Sequence, residues 1–137
     1  IVPLALQVAA MQRDCIELQN QAQTKDGTVE RSFLHVLDVC DAVLAGLKWL
    51  ETQVGCLEAF NIAHSKTTSI PGLLDEVAKL TQSEIRVQPA VYQHEELAQL
   101  GANIDKAEKV LAWTPKRSLT QMIEDEWRFY LNTLKGN

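Results

Sequence analysis

The chain has 137 residues, a formal net charge of −5 and 46% hydrophobic residues. That is the length of one globular domain, able to remove roughly two thirds of its unfolded surface from water. Acids and bases are interspersed with no basic stripe, which argues against a nucleic-acid partner. No apolar run reaches the ~18 residues of a membrane helix, and no signal peptide is visible.

The first twelve residues, IVPLALQVAAMQ, begin inside an apolar, helix-like pattern with neither an initiator Met nor a charged leader. We therefore expect a piece of a longer polypeptide. Leu4 to Met11 reads as a helix end, and Cys15 to Leu18 as a short strand. A polar loop, NQAQTKDGT, carries an Asp-Gly turn signal. Arg31 to Val36, RSFLHV, is rich in strand formers. Asp38 is placed to cap a helix, with the Asp41 carboxylate near the same N-terminus. Val39, Ala42, Val43, Leu47 and Leu50 follow at helical spacing and predict one buried face, closed by Gly55.

Cys56 to Ala63, CLEAFNIA, reads as the next strand and HSKTTS as a polar turn. Ser69 or Thr68 caps a helix with Pro71 in its first turn and a core face of Leu73, Leu74, Val77 and Leu80. Glu84 to Pro89 alternates like a strand, and Ala90 to Ala102 is irregular. Asn103 opens a short helix ending at Trp113. Ser118 and Gln121 form a capping box for a last helix whose inner side is Leu119, Met122, Ile123, Trp127, Tyr130 and Leu134. The three tryptophans, Trp49, Trp113 and Trp127, read as core anchors. The middle of the chain thus reads strand–helix–strand–helix–strand. The expectation is a small α/β domain of βαβαβ type with a helical carboxyl end, spanning residues 1–137. Ligands on such sheets bind beyond the carboxyl ends of strands, here after Val36, Ala63 and Pro89.

Chemistry-bearing motifs are few. There is no Gly-rich dinucleotide turn, Walker loop, nucleophile elbow or His-Glu-x-x-His. Cys15, Cys40 and Cys56 are an odd, widely spaced set that fits reduced cytoplasmic thiols and not a metal site. His35, His64 and His94 lie far apart. His35 reads as a packed strand histidine, His64 as a solvated turn residue, and His94 with Glu95 and Glu96 as a solvated loop. Arg31 is the residue with two readings. Its planar fork suits a phosphate, and a surface ion pair, worth at most about 1 kcal/mol, is the commoner arrangement.

Several blocks in order resemble one family. PLALQVA, TKDGTVERSFLHVLDVCDAV, GCLEAFNIAHSKTTSI and ANIDKAEKVLAWTPKRSLTQMIEDEWRFY are similar to segments of UDP-glucose 4-epimerases. These belong to the extended short-chain dehydrogenase/reductase group of NAD-dependent epimerases and dehydratases. The resemblance covers nearly the whole chain and implies the smaller, nucleotide-sugar-binding part of such an enzyme. The NAD-binding Rossmann domain, with its Gly-rich turn and its Tyr-x-x-x-Lys pair, would lie outside these residues. The resemblance implies a homodimeric parent in which bound NAD oxidises the sugar at C4 and returns the hydride to the other face. This chain alone would bind no NAD and carry no catalytic residue. Its partners would be a UDP-hexose and its own amino-terminal Rossmann domain, with no nucleic acid and no membrane.

Carried over position by position, Arg31 matches the arginine that meets the substrate diphosphate, and Phe33 the aromatic beside it. Glu96 matches the acidic residue that binds the nucleotide ribose, and Leu100 a position lining the sugar pocket. The departures are as informative. Tyr92 and Gln93 stand where a second phosphate arginine is expected, Glu95 replaces a glycine, Leu18 or Gln19 replaces the aromatic under uracil, and the Gly-x-Gly turn reads Ala63 to Lys66. Losing one charge-assisted bond to phosphate costs roughly 1.5–3 kcal/mol. Lys66 is the candidate replacement cation. The other reading is a divergent, non-catalytic binding module derived from the same family. A stand-alone regulatory α/β domain is a third reading, requiring a start codon near Ile1.

Overall fold

The chain opens on a helix because Pro3 fixes its first turn, where an amide hydrogen has no helical partner anyway. In the computed structural model, which describes residues 1–18, 29–90 and 97–135, this helix is α1 (Val2–Ala9). It is followed by β1 (Ile16–Leu18), β2 (Glu30–Arg31), α2 (Val36–Leu50), β3 (Thr68–Ser69), α3 (Ile70–Thr81), β4 (Val87–Pro89), β5 (Gln99–Leu100), α4 (Asp105–Leu111) and α5 (Leu119–Lys135). The α/β class and the helical carboxyl end agree with the sequence reading.

The main core lies where α1, β1, α3 and α5 meet. Ala5, Leu6, Ile16, Leu73, Val77 and Ile123 are fully buried there. α3 is the best-formed element. The Ser69 hydroxyl accepts from the Gly72 amide at 3.1 Å, Pro71 sits in the first turn, and Gln82 stops the helix in a left-handed conformation. Leu73, Leu74 and Val77 are buried and Leu80 packs beside them, as the periodicity predicts. The Ser118 hydroxyl likewise accepts from the Gln121 amide at 3.1 Å and opens α5. Leu134, expected on the inner side of α5, is 39% exposed.

Among the described residues the strands form two small sheets instead of one parallel run. β1 and β4 pair in parallel, with Ile16 opposite Val87. β2 lies between β3, antiparallel, and β5, parallel. Two expected strands change. The strand expected over Arg31 to Val36 ends at Arg31, because α2 begins at Val36. Cys56 to Ala63 joins no sheet among the described residues. Its sequence favours an extended chain, but pairing needs a second edge. What holds it is side-chain contact. Lys106 bonds Glu58 and the Ala59 carbonyl and stands 4.9 Å over the Phe60 ring, and the Asn61 amide donates to the Asn103 carbonyl at 3.1 Å.

α2 departs furthest from expectation. Its cap is His35, whose Nδ1 accepts from the Leu37 amide at 3.1 Å, and not Asp38. Asp38 falls in the first turn, pointing inward and fully buried. Of the face expected to be core, only Ala42 is buried; Val43 and Leu47 are more than half exposed. A second, smaller cluster of Ala42, Ile104, Ala107 and Trp113 lies between α2 and α4, with Phe60 and Ile62 against it. Among the described residues, no helix is long and apolar enough to cross a membrane.

Candidate functional site

The short three-stranded sheet brings the candidate residues together. Arg31 ends β2, opposite Thr68 on one side and Leu100 on the other. Its Nη1 donates to the Glu30 and Leu97 carbonyls, each at 2.9 Å. The surface-pair reading of Arg31 therefore does not describe these two bonds. They run to backbone oxygens, one of them 66 residues away along the chain, and they orient the guanidinium.

Phe33, two residues on, is half-buried against the main core. It lines a pocket of about 260 Å³ with His64, Lys66, Thr68, Ser118 and Leu119. So Phe33 and Lys66 share one pocket, while Arg31 and Leu100 are neighbours on adjoining strands, joined to it through Thr68. Glu96 lies outside the described residues, as do His94, Glu95 and the Tyr92–Gln93 pair. Leu18, one of the two residues standing for the uracil aromatic, is in β1 and packs on the main core; Gln19 lies outside the described residues.

Three polar arrangements around these residues have no signal in the sequence. The Ser32 hydroxyl donates to the His64 carbonyl at 2.8 Å and accepts from the His64 amide at 3.0 Å. The Glu30 carboxylate accepts from Thr67 at 2.6 Å and from Gln99 at 2.9 Å, one carboxylate joining β2, the approach to β3, and β5. His35 is buried, with Nε2 facing the Asp125 carboxylate at 3.2 Å. Because Nδ1 accepts from Leu37, the proton belongs on Nε2 and is donated to Asp125. His35 therefore joins α2 to α5; it is packed as expected, but at a helix cap instead of in a strand, and with a partner the sequence does not reveal. His64 is half-buried and hydrogen-bonded, where a solvated residue was expected. Nothing in local sequence signals these pairs, which are 32 to 90 residues apart.

Behind the site, Asp38 ties α2 to the loop before α5. It accepts from the Lys116 amide at 3.2 Å, the Arg117 amide at 3.1 Å and the Arg117 Nη1 at 2.6 Å, and its own carbonyl accepts from the Trp113 indole at 3.0 Å. Burial pushes the Asp38 carboxyl up, but the bonds from Arg117 and Lys116 outweigh it and hold the carboxyl below its ordinary value. The Asp41 and Asp38 carboxylates raise the Arg117 guanidinium in turn.

No three His, Cys, Asp or Glu side chains among the described residues group as a metal site. Among the described residues, the β3–α3 turn is not built as a dinucleotide cradle. A dinucleotide cradle needs glycines in a strand-to-helix turn so that backbone can approach pyrophosphate. The β3–α3 junction instead places Thr68 and Ser69 there, and a Cβ at Gly72 would stand 2.9 Å from the Ser69 hydroxyl, so that glycine serves the cap.

The fold is the one found in the Rossmann-type extended short-chain dehydrogenase/reductases. It superposes with a TM-score of 0.90 on the UDP-glucose 4-epimerase of Stenotrophomonas maltophila, solved with bound NAD and formylated UDP-arabinopyranose. That comparison covers 99% of this chain and 40% of the solved one, at 23% identity. Its sequence matches the carboxyl-terminal part of UDP-glucose 4-epimerases. It is 33% identical to the Lacticaseibacillus casei enzyme over 138 residues and 29% identical to the Rhizobium meliloti enzyme over 136. These alignments cover 99% and 98% of this chain but 41% of each relative, so the chain spans about two fifths of the curated relatives it matches. No family model matches it.

Proposed function

We propose that this chain is the nucleotide-sugar wall of the cleft in an NAD-dependent epimerase acting on UDP-glucose and UDP-galactose. The observation that carries the reading is the arrangement of Arg31, Leu100, Phe33 and Lys66 around one short sheet and one pocket. It occurs in a chain matched almost end to end by UDP-glucose 4-epimerases. Arg31 meets the diphosphate, held in orientation by its backbone bonds. Phe33 packs beside the ligand, Leu100 lines the sugar end, Glu96 binds the ribose, and Lys66 supplies the second cation in place of the absent arginine. NAD, held by the rest of the enzyme, would supply hydride chemistry at the sugar C4; the residues of this chain bind and orient the nucleotide-sugar.

The remaining part of the enzyme, a Rossmann domain, is also the partner that covers α2. α2 exposes Val43, Leu44, Leu47 and Leu50 along one side, and Leu57 just beyond is 98% exposed. So contiguous an apolar face marks an interface. The enzyme as a whole is a cytoplasmic homodimer on this reading, and the 137 residues alone are inactive.

UDP-glucose and UDP-galactose titrated into this chain, followed by NMR, should bind only weakly, with shifts centred on Arg31, Phe33 and Leu100. Micromolar binding by the chain alone would overturn the single-wall reading. The replaced arginine and glycines favour a second reading, a divergent binding module without catalysis. Epimerase activity of the complete protein separates the two.

A further inference from the structure

We infer that Ser32 is a positioning residue that sets Lys66 at the pocket, an inference that rests on the proposed role of Lys66 toward a diphosphate. The argument starts from register. β2 and β3 pair antiparallel, with Glu30 opposite Ser69 and Arg31 opposite Thr68. One step further the same register would set Ser32 opposite Thr67. Instead the Ser32 amide bonds the Leu100 carbonyl at 3.1 Å, on the β5 side. Its hydroxyl skips Thr67 and closes on both backbone groups of His64. The pairing thus breaks off at Thr68 and resumes, through one side chain, at His64. Ser65, Lys66 and Thr67 are left as a short loop pinched at both ends.

Inside that loop the His64 Nδ1 accepts from the Lys66 amide at 3.1 Å, so the same imidazole that is clamped at its backbone fixes the next turn. Thr67 is held in turn by Glu30 at 2.6 Å. The consequence is a lysine carried on a loop with little freedom, on the rim of the pocket that Phe33 and Thr68 line. Ser32 stands between Arg31 and Phe33 in sequence. It therefore couples the strand end that holds two proposed ligand contacts to the loop that holds the third. Loss of its hydroxyl leaves two backbone groups of His64 without their partner and frees the loop. Lys66 then must be ordered anew on each binding event, which lowers affinity without touching the cation itself.

The test uses the complete protein with UDP as probe and uridine as control, read by calorimetric titration. Ser32→Val removes the hydroxyl at the shape of Ser32→Thr, which keeps it. The expected result is that Ser32→Val and Lys66→Ala each weaken UDP binding by roughly tenfold, leave uridine unchanged, and together weaken it no further than Lys66→Ala alone. Ser32→Thr should bind as the unaltered protein does. If Ser32→Val folds and binds UDP normally while Lys66→Ala does not, the positioning role is overturned and Lys66 keeps its place. Additive losses overturn it as well. If Lys66→Ala binds UDP normally, the diphosphate reading of Lys66 itself fails, and this inference with it. Should Ser32→Val not fold, the same comparison is made with His64→Ala, which removes the Nδ1 acceptor and keeps both backbone bonds; normal UDP binding by that variant overturns the coupling through the loop.

Discussion

Helices α2 and α3 carry nearly the same spacing of apolar residues, yet one buries its stripe and the other does not. Leu73 and Val77 of α3 have no exposed surface, whereas Val43 and Leu47 of α2 are 57% and 56% exposed. Periodicity dictates that a face exists; it does not dictate that the covering element lies in the same chain. α3 is covered by α1 and α5, both within these residues. α2 is fixed from its opposite side, by Ala42 against α4 and by the Asp38 carboxylate on the 112–118 loop. One helix is held by a core and the other by a polar knot, and each is breakable separately.

The largest expected effect is on the knot. Asp38→Ala removes a fully buried acceptor of three hydrogen bonds and strands the donors around it. Leaving partly buried donors without their acceptor costs about 1–3 kcal/mol each, read as a drop in the urea midpoint. The same carboxylate sets a pH dependence. Its folded pKa lies below its unfolded value near 3.9. The stabilisation is therefore fully present above the unfolded value and is lost as pH falls through the folded one. Acid unfolding of the unaltered chain should show this loss, and Asp38→Ala should flatten it. An unchanged acid limb would remove the knot from the account of α2.

Next is the core. Leu73→Ala in α3 should cost roughly 2–5 kcal/mol, the transfer of a buried side chain plus the cavity it leaves. Ser69→Ala, which removes the α3 cap, should cost about 1 kcal/mol. A loss well below half of that would mean that Pro71 alone starts the helix.

The contrast also shows what can be read from sequence. The α3 cap, proline and core face are local, and each is legible in SIPGLLDEVAKL. The capping box of α5 is equally local. The cap of α2 is not legible locally: Asp38 has the better capping chemistry, while His35 takes the position with its ring held against Asp125, 90 residues on. The strand expected at Cys56 to Ala63 has the right composition, but no second edge pairs with it among the described residues. At the site, Arg31, Phe33 and Leu100 are singled out by resemblance and Lys66 as a stand-in cation; the structure pairs Arg31 with Leu100 and sets Phe33 and Lys66 on one pocket. The bonds that orient them, from Ser32 to His64 and from Glu30 to Thr67 and Gln99, join positions 32 to 69 residues apart and leave no periodic trace.

The smallest expected effect is the sharpest test of the comparison. Leu47 of α2 is 56% exposed, so Leu47→Glu removes little buried apolar area from this chain. An exposed substitution away from caps and buried pairs stays within about 0.5 kcal/mol, and urea unfolding of the chain should show no more. In the complete enzyme the same position is proposed to face the Rossmann domain. A carboxylate placed there would have to be desolvated without a partner. Leu47→Glu should therefore be silent in the chain and damaging in the complete protein, lowering its stability and its UDP-sugar affinity together, while Leu73→Ala damages both. A large loss in the isolated chain would mean that α2 is covered from within. Silence in both settings would mean that its apolar face meets no partner, and the docking proposed for it would be wrong.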